Sequence, residues 1–420
     1  MKWLLTSVAA LFLTTGLATA STELRMMWYS DGNEGEVMRG ILDDFEAANP
    51  DIKVVLDEVA YKQIIEGLPV QLAAGQGPDL ARVTDLGGLS KYYLDMTPHL
   101  NDPSYWETNF GKFLPWLRSP GNTSAIPGFM TQLTITGPYV NKTLFEQAGV
   151  ELPAKGATWE DWVSASRTVA EKLNIPIPLA MDRSGHRMAG PAISQGAKYF
   201  DSSGNPSMID EGFKKMAKML YDWHQDGTMT KELWGSVSGS KYLGANEEFK
   251  NAEVVMYMSG SWQIAQFSNQ IGDDFDWWAI DNPCGVAACT GMPGGAALVG
   301  IKDTKHPEAV ATLMSYLSRE NVMNIFYGKS LFIPAHAGLA AKGVDFATDN
   351  PLAKHALSVF ANHVADISPV AVQLQGYPNN RMMFNAAISR VNQAIAGEMT
   401  LDQAYERAAD DVAKGLAASQ

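Results

Sequence analysis

The residues of this chain best suited to handling a small solute are a tryptophan and two aspartates. Trp262 follows three small residues, Ser259, Gly260 and Ser261. The uncharged apolar run 254–258 before it is of strand length, and 263–267 after it resumes a helical pattern. The indole is thereby expected at the carboxyl end of a strand, where open α/β sheets hold ligands. Its face suits the apolar face of a sugar ring; the plainer use is filling a strand–helix corner of the core. Asp31 and Asp85 each follow a predicted strand in a glycine-containing turn. Such carboxylates accept hydroxyl hydrogen bonds, and a pair of them about 5–10 Å apart would serve a glycosidase. Asp85 also reads as a helix N-cap before Leu86-Gly87-Gly88.

Other chemistries find no footing. No G-x-S-x-G, H-E-x-x-H or phosphate-cradling glycine loop occurs. The seven histidines show no ligand spacing, so neither a metal nor a cofactor is expected. Tyr92-Tyr93 reads as alternating core and surface rather than as an iron site. The segment 201–205 lacks the Gly and closing Glu of a calcium loop and reads as a turn.

The elements that must position these residues alternate. Strands are read at 23–29, 52–56 and 79–83, separated by helical patterns at 37–45 and, despite Pro69, at 61–74. That order predicts a parallel sheet with helices on both faces. Residues 130–136 alternate as a strand that crosses between lobes. Strand 177–181 runs into Asp182-Arg183-Ser184-Gly185-His186. Four strands, ending near Tyr29, Val83, Met181 and Met258, thus open into short loops that converge on one crevice. Trp277 and Trp278 are expected to split, one ring in the core and one toward the cleft.

Composition bounds the rest. With 420 residues, 46% hydrophobic and 19% charged, the chain can form two domains with real cores. A net charge of −14 without a basic block argues against nucleic-acid or anionic-membrane partners. Lys2, the apolar run 4–17 and Ala18-Thr19-Ala20 form a secretory signal peptide, so residues 1–20 are expected to be removed after Ala20. In an oxidising compartment Cys284 and Cys289, spaced C-x4-C, are expected to form a disulfide contributing about 2 kcal/mol.

With these residues in view, the chain resembles the extracellular solute-binding proteins of ABC importers, in particular the maltose-binding-protein-like carbohydrate-binding family 1. The resemblance is carried by Phe45-Glu-x-x-Asn-Pro-Asp-Ile-Lys-Val54, Gly77-Pro-Asp-Leu80, and Gly137-Pro-Tyr-Val-Asn-Lys-x-Leu-Phe-x-x-Ala-Gly-Val150 with Trp159. Met256-x-x-x-Gly-Ser-Trp262, Pro293-Gly-Gly295 and Gly397-x-x-Thr-x-x-Gln-Ala404 add to it. It implies a two-lobe α/β periplasmic-binding-protein fold (type II), each lobe a mainly parallel sheet flanked by helices and joined by a hinge. The N-lobe would be 21–130 plus 296–332, and the C-lobe 131–295 plus 333–420. It further implies a monomeric, periplasmic binding protein, not an enzyme, that encloses a mono- to oligosaccharide or glycoside and delivers it to membrane permease subunits. The implied ligand-binding set is Ser30, Asp31, Tyr61, Arg82, Asp85, Thr131, Gln132, Asp182, Ser184, Gly185, Trp262, Trp278, Gly294, Gly295 and Arg381. Arg82 and Arg381 stand where the family often offers aromatics, which favours a smaller or acidic sugar over a maltodextrin. The rival readings are a secreted glycoside hydrolase and a binder of a non-sugar or anionic-sugar solute.

Overall fold

The computed structural model describes residues 21–364 and 366–419; the expected signal peptide lies outside them. Eight strands form the framework: β1 (Thr22–Trp28), β2 (Ile52–Glu58), β3 (Leu80–Val83), β4 (Gly128–Asn141), β5 (Ile177–Met181), β6 (Val254–Gly260), β7 (Trp277–Ala279) and β8 (Pro293–Gly300). Their order is β2-β1-β3-β8-β4-β6-β5, with β7 beside β4. β1 pairs in parallel with β2 and β3, and β5 with β6. Antiparallel pairing enters only with the strands that cross the middle, β4 and β8, and with β7 beside β4.

Strand parity explains why the second half of β1 and the whole of β6 read as runs without a polar face. Leu24, Met26 and Trp28 of β1 pack into one core cluster, while Met27 and the following Tyr29 pack into another on the opposite face. Helices cover both faces, so no strand face needs to be polar. In β6 all seven residues are buried. Gly260, at its end, has an extended φ of 172°, so steric room rather than turn geometry selects glycine. A Cβ there would come 2.1 Å from the Trp262 ring.

β4 is the element that joins the two halves. Its 14 residues span about 45 Å at strand rise. Residues 128–135 pair with β8, and 136–140 pair with β6. The register with β8 shifts between Met130 and Gln132, so Thr131 stands in a bulge. Beside it the Leu133 N–H donates to the Ile333 carbonyl at 3.0 Å, so a third chain segment meets β4 and β8 there.

The helical pattern over 61–74 is not one regular helix. Gln63–Gly67 is a π-helical turn and Leu68–Ala73 an α-helix, with Pro69 placed in the first turn of the second piece. Cys284 and Cys289 are disulfide-bonded. The loop they close is tied to its surroundings by the Cys284 N–H to Ala157 and the Ala287 N–H to Ser194, both at 2.9 Å.

Candidate functional site

A cavity of about 230 Å³ lies at the strand ends, between the two halves. From the N-terminal half, Tyr29 and Asp31 follow β1, Tyr61 precedes the π-helical turn, Ile65 and Glu66 lie within it, and Thr84 follows β3. β4 and β8 floor it with Gln132, Thr134, Gly294 and Gly295. On the other side stand Trp262, Tyr242, and the first turns of two helices, Gly185–Ser194 and Asn380–Ile395.

Nine of the expected residues therefore share one cavity: Asp31, Tyr61, Gln132, Ser184, Gly185, Trp262, Gly294, Gly295 and Arg381. Of the two β8 glycines, Gly295 is required by space and Gly294 sits in a tight one. A Cβ at Gly294 would lie 3.2 Å from Thr134 Oγ1 and 3.3 Å from His186 Nε2, and one at Gly295 2.1 Å from the Gln132 carbonyl, with φ at +144°.

Six expected residues are not on the cavity wall. Arg82 lies in the core behind it, 0% exposed. Its guanidinium sits 4.7 Å from the Trp28 ring and 4.3 Å from the Tyr29 ring. It donates to the Tyr29 carbonyl (2.5 Å) and Gln132 Oε1 (2.9 Å), and pairs with Glu34 at 3.5 Å. Parity turns it inward: Arg82 shares a strand face with Leu80. Thr131 is buried in the β4 bulge, its hydroxyl 2.8 Å from Gln132 Oε1 and 2.9 Å from the Ala296 carbonyl. Ser30 accepts the Gly35 N–H at the start of the helix Glu34–Ala48 (2.9 Å). Asp85 caps no helix; it accepts the Gly88 N–H at 3.2 Å within the turn 86–89. Burial raises its pKa, opposed by the Arg381 charge.

Asp182 is 0% exposed and accepts from Arg187 Nε (3.1 Å), Tyr257 (2.5 Å), Ser259 (3.3 Å) and the Ala245 N–H (3.2 Å). It holds the wall rather than forming it. Trp278 departs furthest. The pair splits as expected, with Trp277 in the core, but Trp278 lines a separate pocket and stacks on His355 at 3.5 Å.

Arg187 and His186 are the main residues that sequence reasoning missed. The Arg187 guanidinium lies 4.0 Å over the Trp262 ring. With Gly260 packed against that ring as well, Trp262 is 7% exposed and does not offer an open face for stacking. Burial works against the Arg187 charge, but Asp182 and the surrounding tyrosines raise its pKa. His186 is 3.1 Å from both the Pro293 carbonyl (Nε2) and Arg187 Nη1 (Nδ1). Burial, then the Arg187 charge, push its pKa down to about 3. It is therefore neutral, donating through Nε2 and accepting through Nδ1. Across the cavity, burial and Glu34 push Asp31 up to about 7 against the pull of Arg82 and Arg187. Among the described residues no cluster of His, Cys, Asp and Glu could hold a metal ion.

Residues 29–323 match the sequence model of the bacterial extracellular solute-binding proteins. The chain belongs to that family. A curated relative of this solute-binding protein, the multiple sugar-binding protein of Streptococcus mutans, is 24% identical over 337 residues, covering 75% of this chain and 74% of the relative. Among solved structures, an ABC substrate-binding protein from Listeria monocytogenes in complex with cycloalternan superposes with a TM-score of 0.78 at 18% identity, over 94% of this chain and 99% of that one. The GacH receptor of Streptomyces glaucescens, solved unliganded and with acarbose, gives 0.77 at 17% identity, over 94% and 98%. The maltose/maltodextrin-binding domain MalE of Bdellovibrio bacteriovorus, bound to maltotriose, gives 0.76 at 16% identity, over 94% and 100%. The solute-binding protein thus has the two-lobe periplasmic-binding-protein fold, and no helix among its described residues is long and apolar enough to cross a membrane.

Proposed function

We propose that this solute-binding protein is the periplasmic component of an ABC importer, capturing a sugar or glycoside between its lobes and presenting it to the permease. The observation that carries this reading is a single polar and aromatic cavity lined from both halves and floored by the crossing strands. The lobes we assign are 21–130 plus 296–332 and 131–295 plus 333–420. Their three boundaries coincide with the β4 bulge, its neighbour Ala296 and the Leu133–Ile333 contact. A ligand that touches both walls favours the closed arrangement because only there are all its contacts made at once. Asp31, Gln132, Tyr61 and Ser184 would exchange hydrogen bonds with its hydroxyls. The sugar ligands named for the relatives support the same solute class.

The protein acts by binding, not catalysis, and reaches the periplasm with residues 1–20 removed. Of the two aspartates that a glycosidase reading would pair, only Asp31 lines the cavity. Calorimetry with a sugar panel should find a ligand of micromolar or tighter Kd, about −8 kcal/mol. Chromatography after incubation should recover that ligand intact. Release of a cleaved glycoside would turn the assignment to an enzyme, and preference for metals or amines over every sugar would remove it.

A further inference from the structure

Resting on the sugar-binding reading, we propose that the solute is an anionic sugar, its charged group received on the C-terminal wall between Arg187 and Arg381. The cavity inverts the charge of the molecule around it. The whole chain has 32 basic and 46 acidic residues, yet four cationic side chains line the cavity against two acidic ones. The acids, Asp31 and Glu66, stand on the N-terminal wall. The cations, Arg183, Arg187, Lys241 and Arg381, stand on the C-terminal wall.

Not all four are available. Arg183 is engaged by the Lys241 and Gly239 carbonyls. Arg187 directs Nε to Asp182 and Nη1 to His186, leaving Nη2 without a partner among the described residues. Arg381 forms no ion pair among the described residues; its one hydrogen bond is a long contact to Thr84 at 3.4 Å. The acids that face them are Asp182 and Asp31 for Arg187, and Asp85 for Arg381.

The backbone adds to the same pole. Arg187 and Arg381 each lie in the first turn of a helix of ten or more residues whose start lines the cavity. Neither helix has an acidic residue in that turn, and neither N-cap side chain makes a capping bond. Gly185 brings them together, since a Cβ there would meet the Phe384 carbonyl at 2.3 Å. The Arg187, Asn380 and Met382 N–H groups are taken by the Ser184, Tyr377 and Asn379 carbonyls, so the backbone's contribution is the positive ends of two helix dipoles at the wall that carries the guanidinium groups. Between the two arginines His186 remains neutral, as a donor and acceptor rather than a third charge.

A neutral sugar would leave Arg381 stripped of water, without a counter-charge in contact, whenever the cleft closes. A carboxylate, sulfonate or phosphate on the sugar supplies that charge, through hydrogen bonds about twice as strong as neutral ones. The volume of about 230 Å³ lies below the ~300–1,000 Å³ usual for small-molecule pockets, which favours one or two rings over a long oligosaccharide.

The test is calorimetry with glucose, galactose and maltose against glucuronate, galacturonate, glucose 6-phosphate and 6-deoxy-6-sulfoglucose. At least one anionic sugar should bind about tenfold or more tightly than its neutral parent. The arms separate carboxylate, phosphate and sulfonate. For the preferred anion, Arg381→Gln should cost about tenfold or more, Arg381→Lys should restore part, and the loss should exceed that for the neutral parent. Tighter binding of the neutral parents by wild-type protein, a measurement independent of any variant, would overturn the inference while leaving the sugar reading in place. Equal losses for neutral and anionic sugars in Arg381→Gln would also overturn it. If no sugar of either kind binds, the sugar reading fails and the inference falls with it.

Discussion

The two walls of the cleft are built as opposites. On the N-terminal wall, Asp31 is displayed by a strand end, and behind it lies a fully buried cation, Arg82, held by Glu34 and two aromatic rings. On the C-terminal wall, Arg187 is displayed by a helix start, and behind it lies a fully buried acid, Asp182. Each displayed charge is backed by its opposite from the core. The difference lies in what this does to the displayed group. Asp31 is crowded by Glu34 and desolvated, and its pKa rises to about 7; Arg187 keeps its charge. One wall therefore changes protonation near neutral pH while the other is a fixed cation.

Removing a backing charge should break the comparison most severely. Asp182→Ala strips the acceptor from four donors and leaves Arg187 without its ion pair. Arg82→Met leaves Glu34 buried without its cation. Each should lower unfolding stability in urea by about 3–5 kcal/mol. A loss confined to one of the two would show that the walls are not equivalent in construction.

A pH titration of stability probes the displayed acid. Because Asp31 titrates higher in the folded protein, at about 7, than its ordinary value of 3.8, folding favours its protonated form. Its contribution is fully present below the ordinary value and is lost as pH rises through about 7. Asp31→Asn should flatten this part of the stability curve between about pH 4 and pH 7. An unchanged curve would mean that other groups govern this range.

Reduction of the disulfide is the smallest perturbation and serves as a control. Cys284 and Cys289 lie outside the cavity wall, so dithiothreitol should cost about 2 kcal/mol of stability without changing ligand affinity. A change in affinity would make the loop part of the wall.

Much of this arrangement was legible from local pattern. The strand-end loops and the positions of Asp31 and Trp262 follow from runs and turns that short-range sequence encodes, whereas the glycine pair 294–295 and Arg381 rest on the family resemblance. Arg82 was misplaced because its family position outweighed strand parity, which puts it on the face of Leu80. The helix Gly185–Ser194 was missed because Gly185, Gly190 and Pro191 read as breakers. Their reason is tertiary: Gly185 admits Phe384, and a Cβ at Gly190 would lie 3.0 Å from the Gly291 backbone. With that helix went Arg187, and with Arg187 the covered face of Trp262. No local signal marks Tyr242, which reaches the cavity from an irregular loop.

The bulge at Thr131 carries a consequence for how the lobes move. A continuous strand through both lobes acts as a beam, and a beam bends where its lateral support is weakest. Rotation of one lobe against the other would concentrate in the backbone torsions around residue 131, while the ladder on either side stays intact. The stiffness of that joint, together with the β8 and Ile333 segments that cross beside it, would then set how wide the mouth opens.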